Sequence, residues 1–209
     1  MGKNLRQQRR GKGSPRYRSP SHRFMGKPEY DISPDATSGT VKNIIDAPGR
    51  LTPIAEIDIA GKKMLQIPNQ GMQVGQQISF SEPSEGSILP LRNVPEGTKV
   101  YNIEILPGDG GKLCRASGSF ALLITRERGR CVLLLPSKQK KVLSSECLAT
   151  VGVAAGSGRT EKPFMKAGTR HWAMKGMNRL YPRTRGVAMN PVDHPFGGRG
   201  RPGKHKTVK

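Results

Sequence analysis

The chain has 209 residues, of which 36 are Lys or Arg and only 15 are Asp or Glu, so its formal net charge is +21 at pH 7. Such an excess of one sign is unlike an ordinary cytosolic enzyme and indicates a polyanionic partner, of which nucleic acid is the commonest. The length allows one or two small domains rather than a large catalytic core.

The positive charge is concentrated at the two ends of the chain. Residues 1–30 carry a net charge of +8 and residues 151–209 one of +11, whereas residues 31–100 carry −2. Blocks of like charge do not collapse on their own, and residues 2–27 show neither helical nor strand periodicity. We therefore predict a basic N-terminal extension over residues 1–36, an extended arm that becomes ordered on RNA. A tail without function is the alternative.

Short strand patterns begin near residue 40. Apolar and acidic residues alternate over 54–59, and a hairpin turn at Gly61 joins this run to 64–67. Further runs cover 40–45 and 77–80. Strands this short, separated by Pro, Gly and Asn, are typical of small barrels of the oligonucleotide-binding type, although a sandwich also fits. We assign this barrel to residues 37–94, because Pro90 to Gly97 interrupts the pattern.

A second set of strand patterns is richer in apolar residues and predicts another small barrel over residues 95–165. Its runs cover 100–105, 119–126, 131–135, 140–143 and 147–151. Residues 166–209 then form a basic C-terminal extension, with one short helix predicted over 166–180 and a loop rich in Gly and Pro after Tyr181. The predicted fold is mainly β: two consecutive small barrels with basic, largely irregular extensions.

The cysteine and hydropathy patterns favour a chain without metal, cofactor or membrane partner. Cys114, Cys131 and Cys147 have no C-x-x-C spacing and no nearby pair of His, so neither a zinc site nor a disulfide framework is expected. The longest apolar runs are far shorter than the roughly 20 residues of a transmembrane helix. Residues 1–6 include no apolar signal segment, so we expect the chain to stay inside the cell.

The segment Gly108-Asp109-Gly110-Gly111-Lys112 is similar to a phosphate-binding loop only superficially, because it lacks the spacing G-x-x-x-x-G-K-[ST]. A simple cluster of β-turns is one interpretation. We favour another, in which the small residues let backbone amides, together with Lys112 and Arg115, approach phosphate oxygens closely.

Asp193 and His194 are adjacent in a Pro-rich and Gly-rich loop. As a catalytic pair, Asp193 would orient His194 as a general base, but neighbours in such a loop need not hydrogen-bond to each other and no nucleophile is evident. We prefer a tight loop held by local backbone hydrogen bonds. Aromatic residues near the basic ends, such as Tyr17 and Trp172, suit base stacking, although Trp172 is an equally good anchor for the C-terminal helix.

Two segments carry a family resemblance. Residues 182–195, PRTRGVAMNPVDHP, and residues 108–118 are similar to the universal large-subunit ribosomal protein two family, in its archaeal type, and the similarity covers essentially the whole chain. The resemblance implies an oligonucleotide-binding-type barrel, an SH3-like barrel and extensions that penetrate large-subunit ribosomal RNA. It also implies roles in subunit association, tRNA placement and assembly of the peptidyl-transferase centre, and it singles out His194 as functional but not catalytic. Phe196 and Arg199 stand where other members have His and Gly.

We therefore expect a structural, non-enzymatic constituent of the cytoplasmic ribosome. Its expected partners are large-subunit ribosomal RNA, other large-subunit proteins, and the small subunit across the subunit interface. The alternatives are an RNA-processing or peptidyl-chemistry enzyme that uses His194, and a free-standing protein that packages duplex DNA.

The candidate RNA-binding residues share a cationic side chain and a place in the extensions or the Gly-rich loops, where phosphates and 2′-hydroxyls are the expected contacts. They are Arg6, Arg9, Arg10, Arg16, Arg18, Arg23, Lys112, Arg115, Arg159, Lys162, Lys166, Arg170, Lys175, Arg179, Arg183, Arg185, His194, Arg199, Arg201 and Lys204. His194 is additionally expected to support the peptidyl-transferase centre.

Overall fold

The computed structural model describes residues 2–33, 36–127 and 129–199. The chain divides into two compact units, a β unit of residues 24–163 and a terminal unit of residues 1–23 and 164–209. The strands are β1 Ser38–Ile45, β2 Ile54–Ile59, β3 Lys62–Gln66, β4 Gln77–Ser79, β5 Ile88–Pro90, β6 Lys99–Tyr101, β7 Ala121–Glu127, β8 Arg130–Leu134, β9 Lys140–Ser144 and β10 Leu148–Val151. The α-helices are α1 Arg6–Gly11 and α2 Ala167–Gly176.

The first sheet of the β unit is antiparallel, with strand order β3-β2-β1-β4. The alternation over 54–59 predicts β2 correctly, because Ile57 and Ile59 enter the core while Glu56 and Asp58 stay partly exposed. The predicted hairpin is confirmed, and its turn is Ala60-Gly61. Both residues have positive φ, as a two-residue turn between twisted strands requires.

The second sheet has six strands in the order β5-β10-β6-β7-β8-β9. Buried apolar residues from these strands, among them Val100, Leu123 and Leu133, form one continuous core. β5 pairs antiparallel with β10, so residues 88–90, which the sequence places at the end of the first barrel, contribute a strand to the second sheet. The strand predicted over 100–105 ends at residue 101, because Asn102 has a φ of 49°.

Buried polar side chains join the two sheets. The Tyr30 hydroxyl donates to the backbone oxygen of Asn102 at 2.7 Å, and Thr150 Oγ1 lies 2.7 Å from the same hydroxyl. Gln66 Nε2 donates to Thr150 Oγ1 at 2.9 Å, and the Tyr101 hydroxyl donates to a backbone oxygen beyond β3. Burial raises the pKa of both Tyr30 and Tyr101 well above the usual value. The neutral Tyr101 hydroxyl therefore links the second sheet to the residue that follows β3, and the neutral Tyr30 hydroxyl fixes the segment before β1 to the second sheet.

The two-sheet, mainly β architecture confirms the predicted fold class and is consistent with two consecutive small barrel-like domains. The boundaries at residues 36, 94 and 165 stay predictions. The helix predicted over 166–180 is present but stops at Gly176, because Asn178 adopts a left-handed conformation that ends the helix. The N-terminal arm, predicted to be extended, contains α1, whose Gln and Arg residues favour helix but are too few to show a period.

Candidate nucleic-acid interface

The backbone amides of the Gly108–Gly111 loop point into the protein. The buried carboxylate of Glu104 accepts the N–H of Gly108 at 3.3 Å and of Gly110 at 3.0 Å, and also that of Leu148 at 2.8 Å. Asp109 accepts the N–H of Gly111 at 3.3 Å. The prediction that these amides approach phosphate oxygens is therefore wrong: internal carboxylates already occupy the place that a phosphate would take.

Asp109 also closes the turn that precedes the glycines. Its Oδ2 accepts the N–H of Ile105 at 3.1 Å and of Leu106 at 3.2 Å. Burial raises the pKa of the Asp109 carboxyl, but these N–H groups, the Gly111 N–H and nearby Lys112 outweigh burial and hold the pKa below its ordinary value. Asp109 is therefore a charged, structural acceptor at neutral pH.

Arg115 is used inside the β unit. Its Nη1 donates to the backbone oxygen of Gly111 at 2.6 Å and its Nη2 to that of Pro28 at 2.8 Å. Burial lowers the pKa of the guanidinium. Lys112, by contrast, is exposed, with its Nζ 3.7 Å from Asp109 Oδ2. Of these two predicted phosphate ligands, Lys112 is the one whose charge faces solvent.

Cations of the first sheet are neutralised by neighbouring carboxylates. Lys42 lies 2.7 Å from Asp58, and Lys63 forms an ion pair with Glu56. These pairs link adjacent strands, so each Lys has an opposite charge within its own sheet. Paired charges produce little net potential, so this sheet is a poor surface for a polyanion.

The terminal unit contains a cleft of about 710 Å³ with a strongly cationic lining. Among the residues that the structure describes, the lining contains no carboxylate. It includes six of the predicted RNA-binding residues, Arg6, Arg9, Arg10, Arg16, Lys175 and Arg179, together with His171, Tyr17 and Tyr181. Asn178 helps to hold this wall, because its backbone oxygen accepts from Arg10 Nη2 at 3.2 Å and its Nδ2 donates to the Tyr17 oxygen. Sequence reasoning missed Asn178; an Asn just after a helix is the available signal for a left-handed cap.

A neighbouring cavity of about 350 Å³ reaches His194. Its lining contains Arg6, Arg10 and Arg183 as well as Asp193 and His194. Asp193 Oδ1 lies 3.7 Å from Lys3 Nζ. Sequence reasoning missed this ion pair, as it missed Asn178. Because Lys3 also donates its backbone N–H to Val192 at 2.7 Å, the N-terminal segment fixes one side of this loop.

The imidazole of His194 is held by its own loop. Its Nδ1 accepts the N–H of Phe196 at 3.1 Å, and the two rings meet edge to face with centroids 4.9 Å apart. A Cβ added at Gly186 would lie 2.5 Å from the ring, so only Gly allows this approach. The backbone N–H groups of Asp193 and His194 both donate to Asn190, as expected for a tight loop. His194 is thus a positioned side chain.

Aromatic and cationic side chains lie together around α2. Lys175 Nζ lies 4.6 Å from the ring centroid of Trp172, and Arg170 lies 5.0 Å from that of Tyr181. Trp172 is 65% exposed, which contradicts the alternative that it anchors the helix. An exposed indole beside ammonium and guanidinium groups suits stacking on bases.

The remaining predicted cations are mostly exposed. Arg18, Arg23, Lys162, Lys166, Arg183, Arg185 and Arg199 present their side chains to solvent. Arg159 is exposed as well and donates Nε to Ser117 Oγ at 3.0 Å. Arg201 and Lys204 lie outside the described residues. Exposure leaves these charges available to phosphates, and their contacts stay predictions.

Within the described ranges, no helix is long and apolar enough to span a membrane. The same residues include no group of three or more His, Cys, Asp or Glu that could hold a metal ion.

Comparison with known proteins shows that this sequence is similar to those of ribosomal proteins. Residues 84–209 match the family model described as Ribosomal Proteins L2, C-terminal domain. The chain is 45% identical over 217 residues to large ribosomal subunit protein uL2 of Methanococcus vannielii, an alignment that covers 100% of this chain and 90% of that relative. It is 46% identical over 216 residues to uL2 of Haloquadratum walsbyi, with 100% and 89% covered.

Proposed function

The chain belongs to the uL2 family of large ribosomal subunit proteins and is a structural constituent of the subunit, not an enzyme, and from this we propose that its terminal unit binds large-subunit ribosomal RNA. The observation that carries the proposal is the cationic cleft. Six Arg and Lys side chains line it and, among the described residues, no carboxylate does. A cleft with charges of one sign attracts a polyanion far more strongly than a surface of paired charges.

We propose that the cleft recognises RNA mainly through its backbone. Guanidinium groups donate two parallel hydrogen bonds to phosphate oxygens, and four of the six cations are arginines from the N-terminal segment. The exposed Trp172 and the Tyr residues of the lining add stacking surfaces for unpaired bases. Shape and 2′-hydroxyl contacts would then supply more of the specificity than base edges.

We further propose that His194 supports assembly of the peptidyl-transferase centre, and that the chain contributes to tRNA placement, to subunit association and to contacts with other ribosomal proteins. The family resemblance supports these roles, and the held imidazole gives His194 a physical basis. In its neutral form, the ring that accepts at Nδ1 carries its hydrogen on Nε2. His194 would therefore offer a directed donor to RNA without performing chemistry.

The test compares two variants with the same loss of charge. In the cleft variant Arg6, Arg16 and Arg179 are replaced by Gln; in the control Lys42, Lys62 and Lys63 of the first sheet are replaced by Gln. Binding to large-subunit ribosomal RNA is measured across salt concentrations with excess duplex DNA as competitor. Loss of three phosphate contacts should flatten the slope of log K against log salt by roughly 2–3. The control slope should stay unchanged.

Footprinting on the same RNA completes the test. We expect the intact chain to protect a discrete region that survives the DNA competitor, and the cleft variant to lose that protection. A second variant, Arg183→Ala with Arg185→Ala, should weaken protection near the His194 loop. Diffuse protection that DNA abolishes, or equal slopes for the cleft and control variants, would contradict the proposal.

A further inference from the structure

Strand β9 is an open edge of the six-stranded sheet. It lies at the end of the strand order, with β8 as its neighbour in the sheet. The Leu135 N–H donates to Gln139 at 2.9 Å and the Ser145 N–H to Gly129 at 3.1 Å. These two bonds show that Gln139 and Ser145 direct their backbone N–H and C=O groups toward β8. Along an antiparallel strand this direction alternates from one residue to the next, so the N–H and C=O groups of Lys140 and Val142 point away from β8.

Nothing in the described part of the chain covers these outward groups. The hydrogen bonds of the described residues include none to the backbone of Lys140 or Val142 on that side. The Val142 side chain is 56% exposed and Leu106, across the groove beside β9, is 68% exposed. This groove has a volume of about 550 Å³ and is also lined by Ile105 and Leu143. An unpaired edge beside exposed apolar side chains is a surface that proteins normally cover.

The charge of the groove indicates which kind of molecule binds there. Arg130 and Lys141 line it and no carboxylate does, and Lys140 is exposed on the edge itself. A second copy of this chain, paired through the same edge, would bring Lys opposite Lys, which is destabilising. An RNA strand would neutralise the cations, but it has no alternating donors and acceptors at strand spacing and would leave the apolar side chains exposed.

We propose that β9 is the docking edge for an extended, acidic segment of another protein, which adds a seventh strand to the sheet. Backbone bonds to Lys140 and Val142 would hold the segment, the apolar side chains on one of its faces would pack on Val142, and the carboxylates on its other face would lie next to Lys141. This site lies in the β unit, so the proposal is independent of RNA binding by the cleft of the terminal unit.

The experiment uses the full chain and a fluorescent peptide of about nine residues in which Val and Glu alternate, long enough to span the edge. In two further peptides every second amide carries an N-methyl group. The first peptide is methylated at the amides of its Val residues and the second at the amides of its Glu residues. Only one set of amides faces β9, so one methylated peptide should lose roughly tenfold in affinity, about 1.4 kcal/mol, while the other binds like the parent. The amides of Lys140 and Val142 should exchange their hydrogens more slowly in the complex.

Matched variants separate the groove from general charge effects. Val142→Asp should weaken the peptide by about tenfold, whereas Val74→Asp, at a similarly exposed Val of the same unit, should leave binding unchanged. Equal affinity for both methylated peptides, failure of the peptide to bind, or displacement of the peptide by a uridine oligonucleotide with no change in Lys140 and Val142 exchange would overturn the proposal.

Discussion

Replacing Glu104 with Gln tests whether one buried carboxylate organises the Gly108–Gly111 loop. Glu104 is 1% exposed. Its Oε2 accepts from Leu148 at 2.8 Å and Gly108 at 3.3 Å, and its Oε1 accepts from Gly110 at 3.0 Å. The substitution preserves shape but turns one of the two acceptors into a donor.

The cost follows from these three bonds. With the Gln oxygen at the Oε2 position, the new NH₂ faces the Gly110 N–H, and a buried unsatisfied donor costs about 1–3 kcal/mol. The two remaining bonds lose their charge assistance, about 1 kcal/mol each, and relief from burying a charge offsets part of the total. We expect a net loss of about 2–3 kcal/mol in the free energy of unfolding, which lowers Tm by roughly 4–12 °C in a protein of this size.

Urea and thermal unfolding at pH 7, followed by circular dichroism, measure this loss, and hydrogen exchange at the Gly110 amide locates it. The matched control is Glu146→Gln. Glu146 pairs with Arg92 at 2.8 Å, but both side chains are more than half exposed, so the control should change stability by less than about 1 kcal/mol. If Glu104→Gln is as mild as the control, the carboxylate does not organise the loop.

Three further perturbations test separate parts of the structure. Because the pKa of Asp109 is lower when folded than when unfolded, its stabilisation is present above about pH 4 and is lost as pH falls through the folded value. The gap in unfolding free energy between wild type and Asp109→Asn should therefore shrink in acid, and a growing gap would be contradictory. Burial raises the pKa of the Cys114 thiol to about 11, so its reaction with iodoacetamide at pH 8 should be roughly a hundredfold slower than that of an unperturbed thiol; peptide mapping that finds rapid labelling would refute this. Gly186→Ala should displace the His194 ring without changing charge, seen as a changed Nδ1 chemical shift, while Gly168→Ala, with open space around it, should leave that shift unaltered.

The fold follows from the sequence where a side-chain period exists. The six-residue alternation defines β2 because a strand buries every second residue. The period gives no warning at Asn102, where a positive φ ends β6 earlier than predicted. The period also fails to predict β5, because three residues are too few to show a pattern. These residues form a strand because they pair with β10.

The sequence predicts which residue types form the candidate site but not the direction in which their polar groups point. Charge counts alone place the cations at the chain ends, and six of them line one cleft. The Gly-rich loop shows the limit of this reasoning, because Gly108 and Gly110 were predicted to offer their amides outward and instead donate to Glu104. A residue type determines whether a donor exists, whereas tertiary contacts determine where it points.

The two units differ in what can stabilise them. The two larger apolar clusters of the β unit include Ile57 and Leu133, and the unit has ion pairs such as Lys42–Asp58 within its sheets. The helices of the terminal unit, α1 and α2, contain no buried residue, and ten residues or fewer are too short for a helix to be stable in water by propensity alone. We therefore expect neutralisation of its charge to contribute to the stability of this unit. If RNA provides that neutralisation, part of the binding free energy orders the unit, and affinity and folding of the terminal unit share one salt dependence.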